Sequence, residues 1–215
     1  MYKILDMNSW SRREQYLFFK DYDNPFFNIC TEVDITALMK FTKEKNISFF
    51  IASLFASQKA VNEVEEFRYR IKNDQVIIYD RIHAGSTVMN DNETFSFCYF
   101  DFHDSFDDFK SEMTSVLRKN SEDKQSLDAR ANDDNMIHYS VIPWIAFTGL
   151  SHSRRFGRED SIPKIVFGKY QTKNGRLMMP ISVEVHHSLM DALHVSRYLN
   201  RLQDILDQSD VELAK

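Results

Sequence analysis

The 215-residue sequence predicts an α/β layered domain, an α+β two-layer sandwich in which one mixed β-sheet carries helices packed on it. Three observations lead there. The dipeptides Asn73-Asp74 and Asn174-Gly175 have hairpin-turn chemistry and each sits between alternating apolar segments. Elsewhere, apolar residues recur at helical spacing behind capping residues. With 5 glycines and 4 prolines in the whole chain, few positions interrupt regular elements.

The elements follow in order. Residues 11–22 read as a helix, with Ser11 and Glu14 in a capping-box relation and Tyr16, Phe19 and Tyr22 at helical spacing. Phe26 to Val33 reads as a strand, after which Asp34 caps a helix through about Lys45. Ser48 caps the next helix, FFIASLFASQKAVNEVEEF, whose apolar first half suits burial against a sheet. RYRIKNDQVIIYD is a hairpin about Asn73-Asp74, and TFSFCYFDF is a strand. A helix with an acidic start runs from about Ser105 to Asn120, followed by a polar loop over Lys119 to Asp134. MIHYSVIPWIAFTGL is a strand bent or broken at Pro143, which has no N–H to give a ladder. KIVFGKYQTKNGRLMMPISVEV forms two strands about Asn174-Gly175. The last helix spans about Ala192 to Asp207, with Leu193, Tyr198, Leu199, Leu202 and Leu206 on or near one face. No repeat or linker divides the chain, so residues 1–215 are expected to form a single domain.

Composition narrows the function. Hydrophobic residues at 43% and charged residues at 27% mark a globular chain rather than a disordered one. A net charge of −5 argues against sequence-independent nucleic-acid binding, which needs a basic surface to displace counterions. No apolar run approaches the roughly 20 residues that cross a bilayer, and the first residues lack a secretory pattern. Cys30 and Cys98 form no C-x-x-C pair and read as buried thiols. The expectation is a cytoplasmic protein with no nucleic-acid or membrane partner.

The chemically suggestive stretch is VEVHHSLMDALHV, residues 183–195. Strand parity puts His186 and His187 on opposite faces, with His187 continuing the Val183/Val185 side and emerging where the strand ends. Asp191 stands as N-cap of the final helix. Three roles fit His187 at this point: a buried structural imidazole, a metal ligand with His186, Asp191 and His194, or a general base. Metal binding is the poorest fit, because neighbours facing opposite ways do not converge on one ion.

The run His186-His187-Ser188-Leu189-Met190-Asp191-Ala192 resembles the HHxxxDG signature of the chloramphenicol O-acetyltransferase family, shared with dihydrolipoyl acyltransferase cores and peptide-synthetase condensation domains. The similarity runs through the chain. It includes Trp10-Ser11-Arg12, Asp34-Ile35-Thr36, the hairpin from Phe67 to Asp80, Glu93-Thr94-Phe95-Ser96, Ser140-Val141-Ile142-Pro143-Trp144, and Gly168-Lys169-Tyr170. What the resemblance implies is a homotrimer with sites at subunit interfaces, acetyl-CoA as co-substrate, no metal, and chloramphenicol or a similar hydroxyl compound as acceptor. It implies His187 as general base and Ser140 as oxyanion donor. It also implies Asp191 and Arg12 as a structural pair, Trp144, Lys169 and Tyr170 along the coenzyme A path, and Phe19, Phe27, Phe95 and Phe97 in the acceptor pocket. An ordinary imidazole, titrating near about 6.5, suits such a base.

Departures bear on the acceptor. Ala192 stands where the signature has glycine, Val166 where the family has a threonine, and Phe97 where it has a smaller residue. Asp23, Pro25 and His152 replace apolar or small residues. They leave open an acetyltransferase for a different acceptor, a weakened CoA- or ligand-binding trimer, and a metal-dependent hydrolase.

Overall fold

Strand pairing in the computed structural model, which describes residues 1–123, 127, 130, 133–154 and 160–214, builds two sheets. In chain order the elements are β1 (Tyr2–Ile4), α1 (Arg13–Phe19), β2 (Phe26–Asp34), α2 (Thr36–Lys45), α3 (Phe49–Glu63), β3 (Tyr69–Lys72) and β4 (Gln75–Tyr79). There follow β5 (His83–Met89), β6 (Phe95–Phe100), α4 (Phe106–Asp123), β7 (Met136–Ile142) and β8 (Lys164–Gly168). The chain closes with β9 (Gln171–Lys173), β10 (Arg176–His186), α5 (Ala192–Asp207) and α6 (Ser209–Glu212).

The main sheet has seven strands in the order β2-β10-β8-β7-β5-β6, with β9 also on β10. It is mixed: β5–β7 and β7–β8 are parallel and the other pairs antiparallel. Both expected hairpins form, each on two successive positive-φ residues, Asn73 (50°) with Asp74 (58°) and Asn174 (51°) with Gly175 (77°). That is the turn whose twist matches paired strands. The first hairpin does not join the main sheet; with β1 it makes a separate three-stranded sheet, which corrects the expectation of one sheet.

Helices cover one face. Tyr139 on β7 and Tyr198 on α5 both bond the Ser57 hydroxyl of α3, at 2.9 and 2.7 Å, so odd-numbered β7 positions face the helix layer. Ile165, Val183 and Val185 lie in the same buried cluster. The opposite face takes the connection from β7 to β8, residues 143–163, of which 155–159 lie outside the described set. Three bonds fasten it down: Asn28 Nδ2 to Leu150 O (2.7 Å), Arg154 Nε to Glu184 Oε1 (2.8 Å) and Lys164 Nζ to Ser153 O (2.8 Å). Gly168 lets the start of this connection settle: a Cβ there would meet the Phe147 ring at 2.9 Å. A connection this long with no helix or strand among its described residues is uncommon inside a domain and usually functional.

Several details differ from the sequence expectations. The Ser11/Glu14 capping box is not made; Arg12 occupies the N-cap without a side-chain cap bond. Ser48 is the N-cap of α3 by position and makes no side-chain cap bond, while Asp34 Oδ1 accepts from Thr36 N at 2.9 Å, one step before α2. Leu193 is exposed, and Val195 and Ile205 complete the buried stripe of α5. The polar loop expected over 119–134 begins later, because α4 continues to Asp123; of the remainder, residues 124–126, 128, 129, 131 and 132 lie outside the described residues. Strands β1 and β5 were not anticipated. In β5, Ala84, Gly85 and Ser86 are buried in succession, so the alternation that betrays a half-buried strand is missing.

Candidate active site

The turn after β10 is held from three sides. His187 N donates to Pro25 O at 2.7 Å, tying the strand end to the residue before β2. Arg12, 9% exposed, reaches in from the start of α1. Its Nη2 donates to His187 O at 2.6 Å, its Nε to Ser188 O at 3.3 Å, and its Nη1 to Asp191 Oδ2 at 2.6 Å. Arg12 therefore pins two carbonyls and a carboxylate across five residues of chain, a use of the planar guanidinium that lysine cannot copy. Asp191 caps α5 by accepting from Leu193 N at 3.0 Å, and His194 Nδ1 accepts from Asp191 N at 3.0 Å. Burial would raise the Asp191 pKa, but the bond from Arg12 and the nearby His194 outweigh it and hold the carboxyl below its ordinary value. Ala192 follows in the first turn of α5 with no positive φ, so glycine is not required there.

The His187 ring is equally constrained. It stacks on Phe19 with centroids 4.0 Å apart and planes at 18°, and the Phe27 ring lies 4.7 Å away, tilted by 53°. Nδ1 is 3.2 Å from Met190 O. A carbonyl accepts and never donates, so Nδ1 carries the hydrogen and Nε2 is left with the lone pair. Sequence reasoning missed Met190 because its main chain, not its side chain, does the work. His186 turns the other way, as parity requires. Burial and then Arg154 lower its pKa to about 4, and its Nδ1 accepts from Ser188 N at 3.3 Å. Among the described residues, no group of three or more His, Cys, Asp or Glu is placed to hold a metal ion.

Ser140 lies elsewhere. It is in β7, in register with Val166 of β8, which is in turn in register with Ser182 of β10. Its hydroxyl accepts from Thr87 Oγ1 at 3.2 Å, so a threonine on β5 stands on one side where Val166 offers no hydroxyl on the other. Ser140, Phe95, Phe97 and His152 line a cleft of about 320 Å³ on the face under the 143–163 connection. His187 continues the helix-facing side. Two strand spacings and five residues of β10 separate it from Ser140, roughly 20 Å, with the sheet between them. The four phenylalanines accordingly divide: Phe19 and Phe27 beside His187, Phe95 and Phe97 beside Ser140. Trp144 (61% exposed), Lys169 and Tyr170 (43% exposed) cluster at the other end of the sheet, where Lys169 N donates to Ile145 O at 2.9 Å. Asp23 is exposed and Pro25 partly so.

Known proteins share this arrangement of chain. The family model described as chloramphenicol acetyltransferase matches residues 1–203. The chain belongs to the chloramphenicol acetyltransferase family. Chloramphenicol acetyltransferase 3 of Escherichia coli is 30% identical over 205 residues, covering 95% of this chain and 96% of that one. A solved chloramphenicol acetyltransferase superposes with a TM-score of 0.90 at 31% identity, over 96% of this chain and 100% of its own. The cubic core of a pyruvate dehydrogenase multienzyme complex shares the fold, with a TM-score of 0.65 at 19% identity over 88% of this chain and 84% of its own. No helix among the described residues is long and apolar enough to cross a membrane.

Proposed function

We propose that this protein moves the acetyl group of acetyl-CoA to a hydroxyl of a small molecule, with chloramphenicol the first acceptor to try. The observation that carries the reading is the His187 ring. Its Nδ1–H is spent on Met190 O, its plane is fixed against Phe19, and its backbone is clamped by Arg12. Nε2 is the nitrogen left to accept a proton.

In this mechanism Nε2 takes the hydroxyl proton as the acceptor oxygen attacks the thioester carbonyl. The tetrahedral intermediate bears an oxyanion, stabilised by the Ser140 hydroxyl, which Thr87 steers. Collapse breaks the carbon–sulfur bond, and the imidazolium returns its proton to the departing thiolate. No acyl-enzyme forms. General-base assistance of this kind contributes about 10²–10⁴-fold, and one oxyanion donor about 2.7–4 kcal/mol.

His187 and Ser140 of one chain stand on opposite sides of its sheet, so the site takes its base from one copy and its donor from the next. A cyclic homotrimer, as the family resemblance implies, supplies that geometry. Trp144, Lys169 and Tyr170 suit the coenzyme A path, exposed at the strand ends with aromatic and cationic groups for a nucleotide.

The experiment is a thiol-release assay with acetyl-CoA and chloramphenicol. Wild type releases coenzyme A at a rate that depends on the acceptor, and His187→Ala lowers kcat at least 10³-fold, taken as about the middle of the range for a lost base. A variant retaining a tenth of the wild-type rate would remove His187 from the chemistry. Saturable CoA binding without turnover of any hydroxyl compound would favour a binding trimer instead.

A further inference from the structure

The cleft around Ser140 has two unlike walls. On one side β6 presents Phe95, Phe97 and Tyr99 at alternate positions, a continuous aromatic surface. On the other stand His138 of β7 and His152 of the 143–163 connection. Nothing in the proposed mechanism uses either imidazole.

One ring is short of a partner. His152 Nε2 is buried and has no hydrogen-bond partner among the described residues. No bond from the described residues to the His138 ring is present, although burial lowers its pKa to about 4, against the opposing pull of Asp160. Burial also lowers the His152 pKa, with Glu184 opposing. The idle buried nitrogen of His152 is costly in a finished structure, since an unsatisfied buried polar group costs roughly 1–3 kcal/mol. A ligand that bonds it recovers that cost. The charges nearby are engaged: Arg154 is paired with Glu184 and Asp160, Lys164 donates to Ser153 O, and the Arg130 guanidinium lies over the Tyr99 ring. The cleft thus favours a neutral ligand over an ion.

We propose that His138, with His152 beside it, reads a neutral hydrogen-bonding substituent on the acceptor, carried on a flat ring and set about 7 Å from the reacting hydroxyl. The distance is one full strand repeat, because His138 and Ser140 are two residues apart on the same face of β7. The ring lies against Phe97 and Tyr99. Gly85 makes room for this, as a Cβ at that position would meet the Tyr99 ring at 3.2 Å. A site built around such bonds rejects acceptors that lack the substituent, by leaving the His152 nitrogen unpaired again.

This inference rests on the acetyl-transfer reading for the location of the acceptor, and its test is separable from it. Equilibrium binding of para-carbamoyl phenylethanol and of phenylethanol is measured by calorimetry on the full-length protein. Thiol release is measured in parallel with the same two alcohols and with chloramphenicol. Wild type is expected to bind the carbamoyl compound at least 10-fold more tightly than phenylethanol. His138→Phe and His152→Leu should each bring that ratio toward unity, while His138→Gln, which keeps a hydrogen-bonding group, should hold it within a few-fold of wild type. Thermal melting of every variant at one protein concentration establishes that it is folded. Equal binding of the two alcohols by wild type, or a ratio that His138→Phe and His152→Leu leave unchanged, overturns the inference even if chloramphenicol is acetylated. Selective binding that His138→Phe abolishes supports it even if no acceptor is turned over, an outcome that would count against the acetyl-transfer reading alone.

Discussion

Replacing Arg12 with alanine should unfasten the turn that holds His187. The side chain makes three contacts there, to His187 O, Ser188 O and Asp191 Oδ2. Truncation leaves two largely buried carbonyls without donors, at roughly 1 kcal/mol or somewhat more each. The ion pair adds less, because the Asp191 side chain is 37% exposed and water takes over part of the guanidinium's role, so its share is held to about 1 kcal/mol. The sum is about 3 kcal/mol. For a chain of this length each kcal/mol moves Tm by about 2–4 °C, which gives a fall of about 6–12 °C at fixed protein concentration. Activity should fall further than stability implies, because a misplacement of about 1 Å at a reacting group costs on the order of 10²-fold. Asp191→Asn is the informative comparison. Arg12 and Leu193 donate to different carboxylate oxygens, so the single asparagine oxygen keeps one of the two bonds. The carbonyl clamp survives, so the cost should stay near about 1 kcal/mol. Guanidinium unfolding and steady-state kinetics on the two variants decide the matter. If Asp191→Asn proves as damaging as Arg12→Ala, charge pairing rather than carbonyl clamping holds the turn, and the reasoning fails.

Three further outcomes are expected. Ser140→Ala and His187→Ala, each strongly impaired as a pure protein, should regain activity when unfolded and refolded together, since about a quarter of randomly assembled interfaces then pair an intact base with an intact donor; no recovery in a mixture of demonstrated hetero-oligomers would place both groups in one chain's site. The Ser188 hydroxyl is fully buried and has no partner among the described residues, so Ser188→Ala should raise the denaturant midpoint, by about 1 kcal/mol of stability, and a lower midpoint would mean that the hydroxyl has a partner. His186 is 5% exposed and its pKa is lowered to about 4, so the unfolded chain binds a proton below about 6.5 that the folded one refuses until about 4. Stability is therefore fully present above that upper value and declines by about 3 kcal/mol as the pH falls to 4; urea midpoints across this window should fall less steeply for His186→Gln than for wild type.

Local chemistry made much of this molecule legible in its amino-acid order. The I′ turns at Asn73-Asp74 and Asn174-Gly175, the stop of β7 before Pro143, and the start of α5 behind Asp191 follow from backbone preferences acting over a few residues. Strand parity likewise assigned His186 and His187 to opposite sides. Where local signals are silent the reading failed. Strand β5 is buried on both faces and shows no alternation, so its Thr87 went unnoticed beside Ser140. The capping box of α1 did not form at Ser11, and Arg12 at its N-cap position is committed to a turn 175 residues away.

The proposed base and its clamp were legible in the sequence, because each belongs to a motif whose spacing survives translation into any fold of this family. Tertiary structure alone decided which groups share a compartment. It put Ser140 and His187 on opposite sides of one sheet, brought Thr87 rather than Val166 to the serine hydroxyl, and set His138 and His152 across from an aromatic wall. Such neighbourhoods depend on strand order and on the path of the 143–163 connection. Both are settled by how apolar faces are buried over the whole chain, and no short stretch of residues encodes them.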